Sequence, residues 1–362
     1  MTFNKTTASV LREQNSFRIL DFLYRKGVMT RTALSKELNL SLPTVLRVTQ
    51  PYMNDLLSIR GKDKSVGGRR AERIFFNYSS RKIAGIQIER DFFIIVISTL
   101  NRTPLIVEKV LFNCKSPSDL SKKITDKLLD YAKSNQLSPI DLEALTIAVA
   151  GVINEEAHSI ADDFPLEWKN IFYDNFFGPD FRDSFPNCKV VFENDANALA
   201  VGEYTDRKMT NESLIALYFG RGIGAGVMIN GKLYKGDHGQ AGEIGRWVPI
   251  FNGKDETFES YFEHSEPSKK IQVVLSVLSD IIMLFDPSKI IFAGNVEDLY
   301  DGIIQNLRMI PNVSLEKSIK KDLAVVNGAL AISAKEFIKK VSYKNYDRKY
   351  GFYTEVQGGE KW

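Results

Sequence analysis

The chain has 362 residues, 44% hydrophobic and 26% charged, the proportions of a soluble globular protein of two or three domains. No apolar run reaches the ~18 residues of a membrane span, and the first twenty residues lack the uncharged core of a secretory signal, so a cytoplasmic protein without a membrane partner is expected. The net charge of +3 is uneven: residues 1–82 hold 16 Lys and Arg against 6 Asp and Glu, and the rest hold 32 against 39, which suggests a basic module that meets a polyanion joined to an acidic body. From the N-terminus, Phe17, Leu20, Leu23 and Tyr24 recur at helical spacing and predict a helix from Asn15 to Lys26, ended by Gly27. Thr30 can cap a second helix carrying Leu34 and Leu38, and residues 39–41 form a tight turn. Ser41 then caps a third helix, with Pro43 tolerated in its first turn. Val45, Val48 and Tyr52 are expected to face inward, with Thr44, Arg47 and Thr49 outward.

Helices, a short turn and a third helix with a polar face make a helix-turn-helix. The stretch from Ile59 to Asn77 reads as two strands around a basic tip at Gly67, Gly68, Arg69 and Arg70, a wing. A small bundle that docks another protein shares this pattern, and the local charge favours DNA. The expected DNA-facing residues are Ser41, Pro43, Thr44, Arg47 and Thr49 of the third helix, with Arg69 and Arg70 of the wing. Arg47 and Thr44 are expected to read base edges, and the wing arginines to hold the backbone or enter the minor groove.

From Lys82 the pattern changes to strands, with a turn at residues 101–103, then an amphipathic helix from about Ser118, a buried strand across residues 142–153, and a strand that turns into a helix at Phe192-Glu-Asn-Asp-Ala-Asn-Ala198. The order then restarts: strands around Gly220-Arg-Gly-Ile-Gly-Ala-Gly226, a helix near residues 271–285 and a strand at Lys289. Strands followed by helix–strand alternation, twice over, predict two similar α/β lobes with a cleft between them. The last twenty residues are polar and aromatic without clear period, and are expected to be loosely held or tied down by their tyrosines. Two motifs carry chemistry. The Phe192–Ala198 stretch offers a carboxylate, Asp195, that can act as a base, or else as a helix N-cap. Gly220, Gly222, Gly224 and Gly226 suit a phosphate-holding loop, and also let two strands turn tightly, which is the preferred reading.

A winged helix-turn-helix followed by Phe192–Tyr204, Phe219–Gly245 and Ser288–Val296 resembles the ROK family of repressors, open reading frames and sugar kinases, in its xylose- and N-acetylglucosamine-repressor-like branch. The resemblance runs from about Asn15 to Phe337. It implies an α/β fold of the two-lobed actin-like (ribonuclease H-like) sugar-kinase type behind the winged domain, with a hexose in the interlobe cleft. The implied divisions are a winged helix-turn-helix at 1–80, a first lobe at 81–200 completed by a C-terminal helix near 322–340, a second lobe at 201–321 and a tail at 341–362. Carried over by position, Asn194 and Asp195 would sit on the sugar, Asp195 as the kinases' base, with Glu243 and Glu259 as further hydroxyl partners.

The departures from the family are as informative. The opening glycine turn of the kinases is here Gly85-Ile-Gln-Ile-Glu-Arg-Asp91, with Gln87 at the acidic position and Glu89 and Arg90 in place of two glycines. Glu89 would bring a negative charge to where phosphate needs bare amides. Ala293 and Asn295 stand near the adenosine position where the family tends to have glycines. Many members follow the Gly-Glu-Ile-Gly segment with a zinc-binding His and three Cys. Here Arg246 takes the His place, no Cys follows, and Trp247, Phe251, Phe258 and Phe262 offer packing instead. Arg246 either pairs with a nearby acid or faces the ligand and favours an anionic or strongly hydrogen-bonding sugar. Cys114, Cys188, His158, His238 and His264 fit no zinc spacing, and the cysteines read as core residues. No metal and no cofactor are expected. The resemblance implies a homodimeric regulator, a sugar-responsive repressor of carbohydrate-utilisation genes that has lost kinase activity, its partners being operator DNA and a sugar or sugar derivative; the alternative is an ATP-dependent sugar kinase that carries a DNA-binding domain.

Overall fold

A computed structural model describes residues 7–62, 71–114, 116–154, 156–163, 168–220, 222–248, 256–307 and 312–347. Contacts divide the chain into two units, one of residues up to 81, 99–101 and from 334 onward, the other of residues 82–98 and 102–333. In the first unit, α1 (Thr7–Lys26) begins well before Asn15 and buries Ile19, Leu20 and Leu23. Gly27 ends it at φ +77°, donating to the Leu23 carbonyl at 2.7 Å, a conformation that favours glycine. β1 (Val28–Thr30) leads into α2 (Arg31–Glu37), whose N-cap Thr30 accepts from the Ala33 N–H. A turn through Asn39 at φ +52° joins α2 to α3 (Leu42–Thr49), capped by Ser41, which accepts from the Thr44 N–H. β2 (Leu57–Lys62) and β3 (Glu72–Phe76) pair antiparallel, and β1 adds to β3, giving the sheet order β1-β3-β2. This is a winged helix-turn-helix. The wing-tip residues Gly67, Gly68, Arg69 and Arg70 lie outside the described residues.

One expectation for α3 is overturned. Thr49 is fully buried: its hydroxyl bonds the Val45 carbonyl at 2.9 Å and accepts from Arg31 Nε at 3.1 Å. Four residues on from buried Val45, it lies on the same helix face and cannot point outward. Val48 is only half-buried.

The second unit opens with a meander of β4 (Lys82–Ile88), β5 (Phe92–Thr99) and β6 (Pro104–Leu111), then α4 (Pro117–Lys133), capped by Ser116. β7 (Leu142–Val149) is buried throughout. The run expected to continue it breaks at Ala150 into β8 (Gly151–Asn154), which pairs with β9 (Ser159–Asp163) and that with β10 (Trp168–Phe172) in a small sheet absent from the sequence reading. After α5 (Pro179–Ser184), β11 (Lys189–Asn194) runs directly into α6 (Asp195–Asp206). The second set is β12 (Leu214–Phe219), β13 (Ile223–Ile229), β14 (Lys232–Tyr234), α7 (Phe258–His264), α8 (Pro267–Phe285), β15 (Lys289–Gly294), α9 (Tyr300–Asn306), β16 (Ser314–Lys317) and α10 (Ala324–Asp347).

Two sheets result, ordered β6-β5-β4-β7-β11 and β14-β13-β12-β15-β16. Each is three antiparallel strands followed by two parallel ones, the same order twice. α4 covers the first sheet with Leu120, Ile124, Leu128 and Tyr131, and α8 covers the second with Val273, Val274, Val277, Leu278 and Ile281. Burial of such side chains stabilises by roughly 1.5–3 kcal/mol each. Between the sheets lies an alanine-rich layer that includes Ala148, Ala198, Ala200, Ala216, Ala293 and Ala329. Small residues let α6 and α10 approach until a Cβ on Gly328 would stand 1.8 Å from the Ala198 carbonyl oxygen.

α6 runs past residue 200 and packs chiefly on β12 and β13, so the helix belongs with the second sheet. α10 runs past residue 340 to Asp347; its early part packs on the first sheet, where Ser333 Oγ donates to the Ala84 carbonyl at 2.8 Å. Residues 348–362 lie outside the described residues.

Candidate functional site

On α3, Ser41, Pro43 and Arg47 are exposed. Thr44 is half-buried, its hydroxyl 2.8 Å from that of Ser41. Thr49, as above, faces the core. Two residues the sequence reading passed over share the exposed surface: Leu42 at 40% exposure and Leu46 at 42%. Their apolar character was the wrong signal, since apolar positions were assigned inward.

The second unit holds a cavity of about 830 Å³. Asn194, Asp195, Glu243, Arg246 and Glu259, scattered over 66 residues of sequence, all line it. The turn from β11 into α6 places the first two. Asn194, not Asp195, is the N-cap: its Oδ1 accepts from the Asn197 N–H at 3.0 Å, and its Nδ2 donates to the Gly151 carbonyl at 3.3 Å. Asp195 is the first helical residue, where the helix N-terminus favours a carboxylate. The neighbour that holds this turn went unnoticed in the sequence. Glu193 is 4% exposed, accepts from the Asn194 N–H and the Asn197 amide through Oε1, and pairs with Lys235 at 2.7 Å through Oε2.

On the other side, Gly242 adopts φ +91°, and a Cβ there would lie 1.8 Å from the Ala225 oxygen, so the loop carrying Glu243 is pressed onto β13. Burial raises the Glu243 carboxyl above its ordinary value; Arg246 opposes this and Glu259 adds to it. Arg246 Nε stands 3.5 Å from Glu243 Oε2 while the guanidinium lines the cavity, so the pairing and the cavity-facing position coexist. Glu259 accepts from the Ile223 N–H at 2.9 Å, which commits one of its oxygens to the β12–β13 turn. Phe219, Phe258 and Phe262 form a ring cluster beneath, and Trp247 packs on the same core; Phe251 lies outside the described residues.

The glycine segment is a hairpin: Phe219 pairs with Ile223, and the Gly220 N–H donates to the Gly222 carbonyl at 3.0 Å. Gly224 and Gly226 lie within β13 against α6, where a Cβ on Gly226 would meet the Ala196 oxygen at 2.1 Å. Only Gly220 and Gly222 are at the turn, and the Tyr218 ring lies over Gly220. Asn295 Nδ2 donates to the Gly220 carbonyl at 3.3 Å. The Tyr218 hydroxyl accepts from Gln87 Nε2 at 3.0 Å and donates to Glu89 Oε1 at 3.4 Å; Gln87 Nε2 also donates to Glu89 at 2.9 Å. Burial, with the charges of Asp195 and Glu89, holds that hydroxyl protonated far above its usual range. Gln87 Oε1 is buried with no hydrogen-bond partner among the described residues. Arg90, Lys270 and Asp298 also line the cavity, unmarked by any motif.

Comparison with known proteins identifies two families. The model described as "ROK family" matches residues 83–256, and "Winged helix-turn-helix DNA-binding" matches residues 12–55. The xylose repressor of Caldicellulosiruptor bescii is 29% identical over 246 residues, 66% of this chain and 59% of that protein. The alignment thus spans about three fifths of the relative's length. A solved structure of a ROK family transcriptional regulator, a homologue of the E. coli MLC protein, superposes with a TM-score of 0.74 at 18% identity, covering 92% of this chain and 99% of that one. The ROK hexokinase from Thermus thermophilus reaches 0.56 at 17% identity, over 70% of this chain and 98% of the hexokinase. At these identities the structural likenesses concern the fold.

Proposed function

We propose that this chain, a ROK family member that carries an N-terminal winged helix-turn-helix, is a transcriptional repressor whose hold on DNA is set by a sugar in the cavity of its second unit. What carries the proposal is the joining in one chain of a basic winged domain with a cavity lined by Asn194, Asp195, Glu243 and Glu259, a donor and acceptor set suited to hydroxyls. The xylose repressor named above points the same way. Asn194 has one amide hydrogen beyond its bond to Gly151, and the carboxylates supply acceptors with fixed direction.

The cavity acts in this proposal without turnover. Phosphoryl transfer needs a nucleotide held in line with the attacked hydroxyl and its charge neutralised. Gln87 brings no charge for a metal, Glu89 repels phosphate, and Tyr218 lies over the Gly220 turn. Sugar and DNA influence one another to the extent that the sugar binds the DNA-bound and DNA-free states unequally. A repressor of this kind works as a homodimer on paired half-sites, in the cytoplasm where the DNA is.

The test is binding of the purified chain to the DNA upstream of its own gene, with and without a sugar panel that includes xylose and N-acetylglucosamine. One sugar is expected to change DNA affinity. Asp195 lines the cavity, which keeps a second reading in play, a sugar kinase with a DNA-binding domain. ATP turnover at roughly 1 s⁻¹ or more in a coupled assay over the same panel would replace the first reading by the second.

A further inference from the structure

We propose that Leu42 and Leu46 are base-reading residues that pack on thymine C5-methyl groups in the major groove, so that the DNA this chain selects places thymines beside a guanine contacted by Arg47. The inference rests on the DNA-binding reading above. Leu42 and Leu46 stand four residues apart on α3, one above the other on its exposed side, at 40% and 42% exposure. The face beside them is closed by Val45 and Thr49, both fully buried, and Arg47 stands opposite that face. Exposed Pro43 and Arg47 share the outer surface, and Arg47 is the only charged residue in the helix sequence. The one hydroxyl pair beside them, Ser41 and Thr44, is bonded internally at 2.8 Å. The exposed surface therefore carries an apolar strip of two leucines, with one guanidinium beside it.

The part of each leucine left in water, about two fifths, gains nothing in the free protein. Their surroundings name the partner that covers them: residues 1–82 carry a net +10, complementary to a polyanion. On the major-groove edge of a base pair the apolar group on offer is the thymine methyl, which cytosine lacks. Burying one methyl against a leucine changes affinity about fourfold. Two leucines one turn apart span neighbouring base pairs, and Arg47, next to Leu46 on the outward face, suits the O6 and N7 acceptors of guanine.

The full chain is used to select binding sites from a random double-stranded DNA pool, and the enriched site is then remade with uracil in place of each recurrent thymine, which removes only the methyl. Wild type is expected to lose about fourfold at one or two of those positions. Leu46→Ala and Leu42→Ala should bind the thymine site correspondingly less well and show no further loss with uracil at their own position. Both residues are exposed, so thermal unfolding should match wild type. If no uracil substitution weakens wild type, or the alanine variants are as uracil-sensitive as wild type, the leucine assignment is overturned while an enriched site keeps DNA binding intact. A pool that enriches no sequence removes the DNA-binding reading itself.

Discussion

Asp195 lies at the first turn of α6, beside an N-cap whose hydrogen bonds are internal. Its carboxylate lines the cavity while Oδ1 accepts from the Ala196 N–H at 2.7 Å, which places an acceptor where a hydroxyl could donate. Asp195→Asn is expected to weaken sugar binding tenfold or more, about what a charged hydrogen bond contributes, and to leave sugar-free DNA binding near wild type; calorimetry paired with a DNA-binding assay reads both. Glu243 gives a pH test. Its carboxyl is raised above the ordinary value near 4.5, so ionising it costs the folded state stability at neutral pH. The cost is absent below the ordinary value, where both states are protonated, and complete above the raised one. Glu243→Gln should then melt no lower than wild type at pH 7, and any advantage should vanish as pH falls toward 4.5. A variant that melts lower at pH 7 and recovers in acid would reverse the sign. Among single residues, the caps Thr30 and Ser41 were legible in the sequence because capping is local chemistry. Thr49 was misassigned because polarity was allowed to outweigh helical phase, and Glu193 was missed because its partners Asn197 and Lys235 assemble only in the fold.

At the scale of elements, the strands and helices with strong period were legible, and the lobes' repeating order with them. The β8–β10 sheet was not, since its strands are only four or five residues long and too short to show a clear period. The expected glycine loop divides into a turn and a packed strand. Gly226→Ala should therefore destabilise by about 3 kcal/mol or more, because backbone rather than a movable side chain meets the new methyl. Gly220→Ala meets the Tyr218 ring rather than backbone, displacing it at the expense of its bonds to Gln87 and Glu89, and should cost less. Thermal unfolding of the two variants side by side checks the ranking; equal costs would show that the close approach of α6 to β13 is misjudged.

Over the whole molecule, the two sheets share one strand order and are tied across the cavity at separate points: Gln87 and Glu89 of the first to Tyr218 of the second, and Glu193 of the first to Lys235 of the second. No helix among the described residues is long and apolar enough to cross a membrane. The charge is segregated, with the basic excess in the first 82 residues, so DNA binding should fall about tenfold or more between ~50 and ~200 mM salt as counterions are released. Sugar binding, which involves no polyanion, should barely change over that range. A salt-independent DNA affinity would contradict the electrostatic footing of the first unit. The domain order was legible because composition and period both change near Lys82. The exact divisions were not, because α6 and α10 belong to packing layers that the linear order conceals.

The glycines of β13 also bear on what a glycine pattern announces. Residues that only touch phosphate are needed only where phosphate is bound, and Gln87, Glu89 and Arg90 stand where the resemblance to sugar kinases would place an acidic residue and two glycines. Gly226 is under a different obligation, since any side chain there collides with the Ala196 carbonyl whether or not a nucleotide ever visits. The same holds for Gly242 against Ala225 and Gly328 against Ala198. Part of such a glycine pattern is therefore demanded by packing alone, whether or not phosphate is bound. Positions that bear on phosphate binding alone are those whose replacement the fold tolerates, a condition that Gly226 of β13 does not meet.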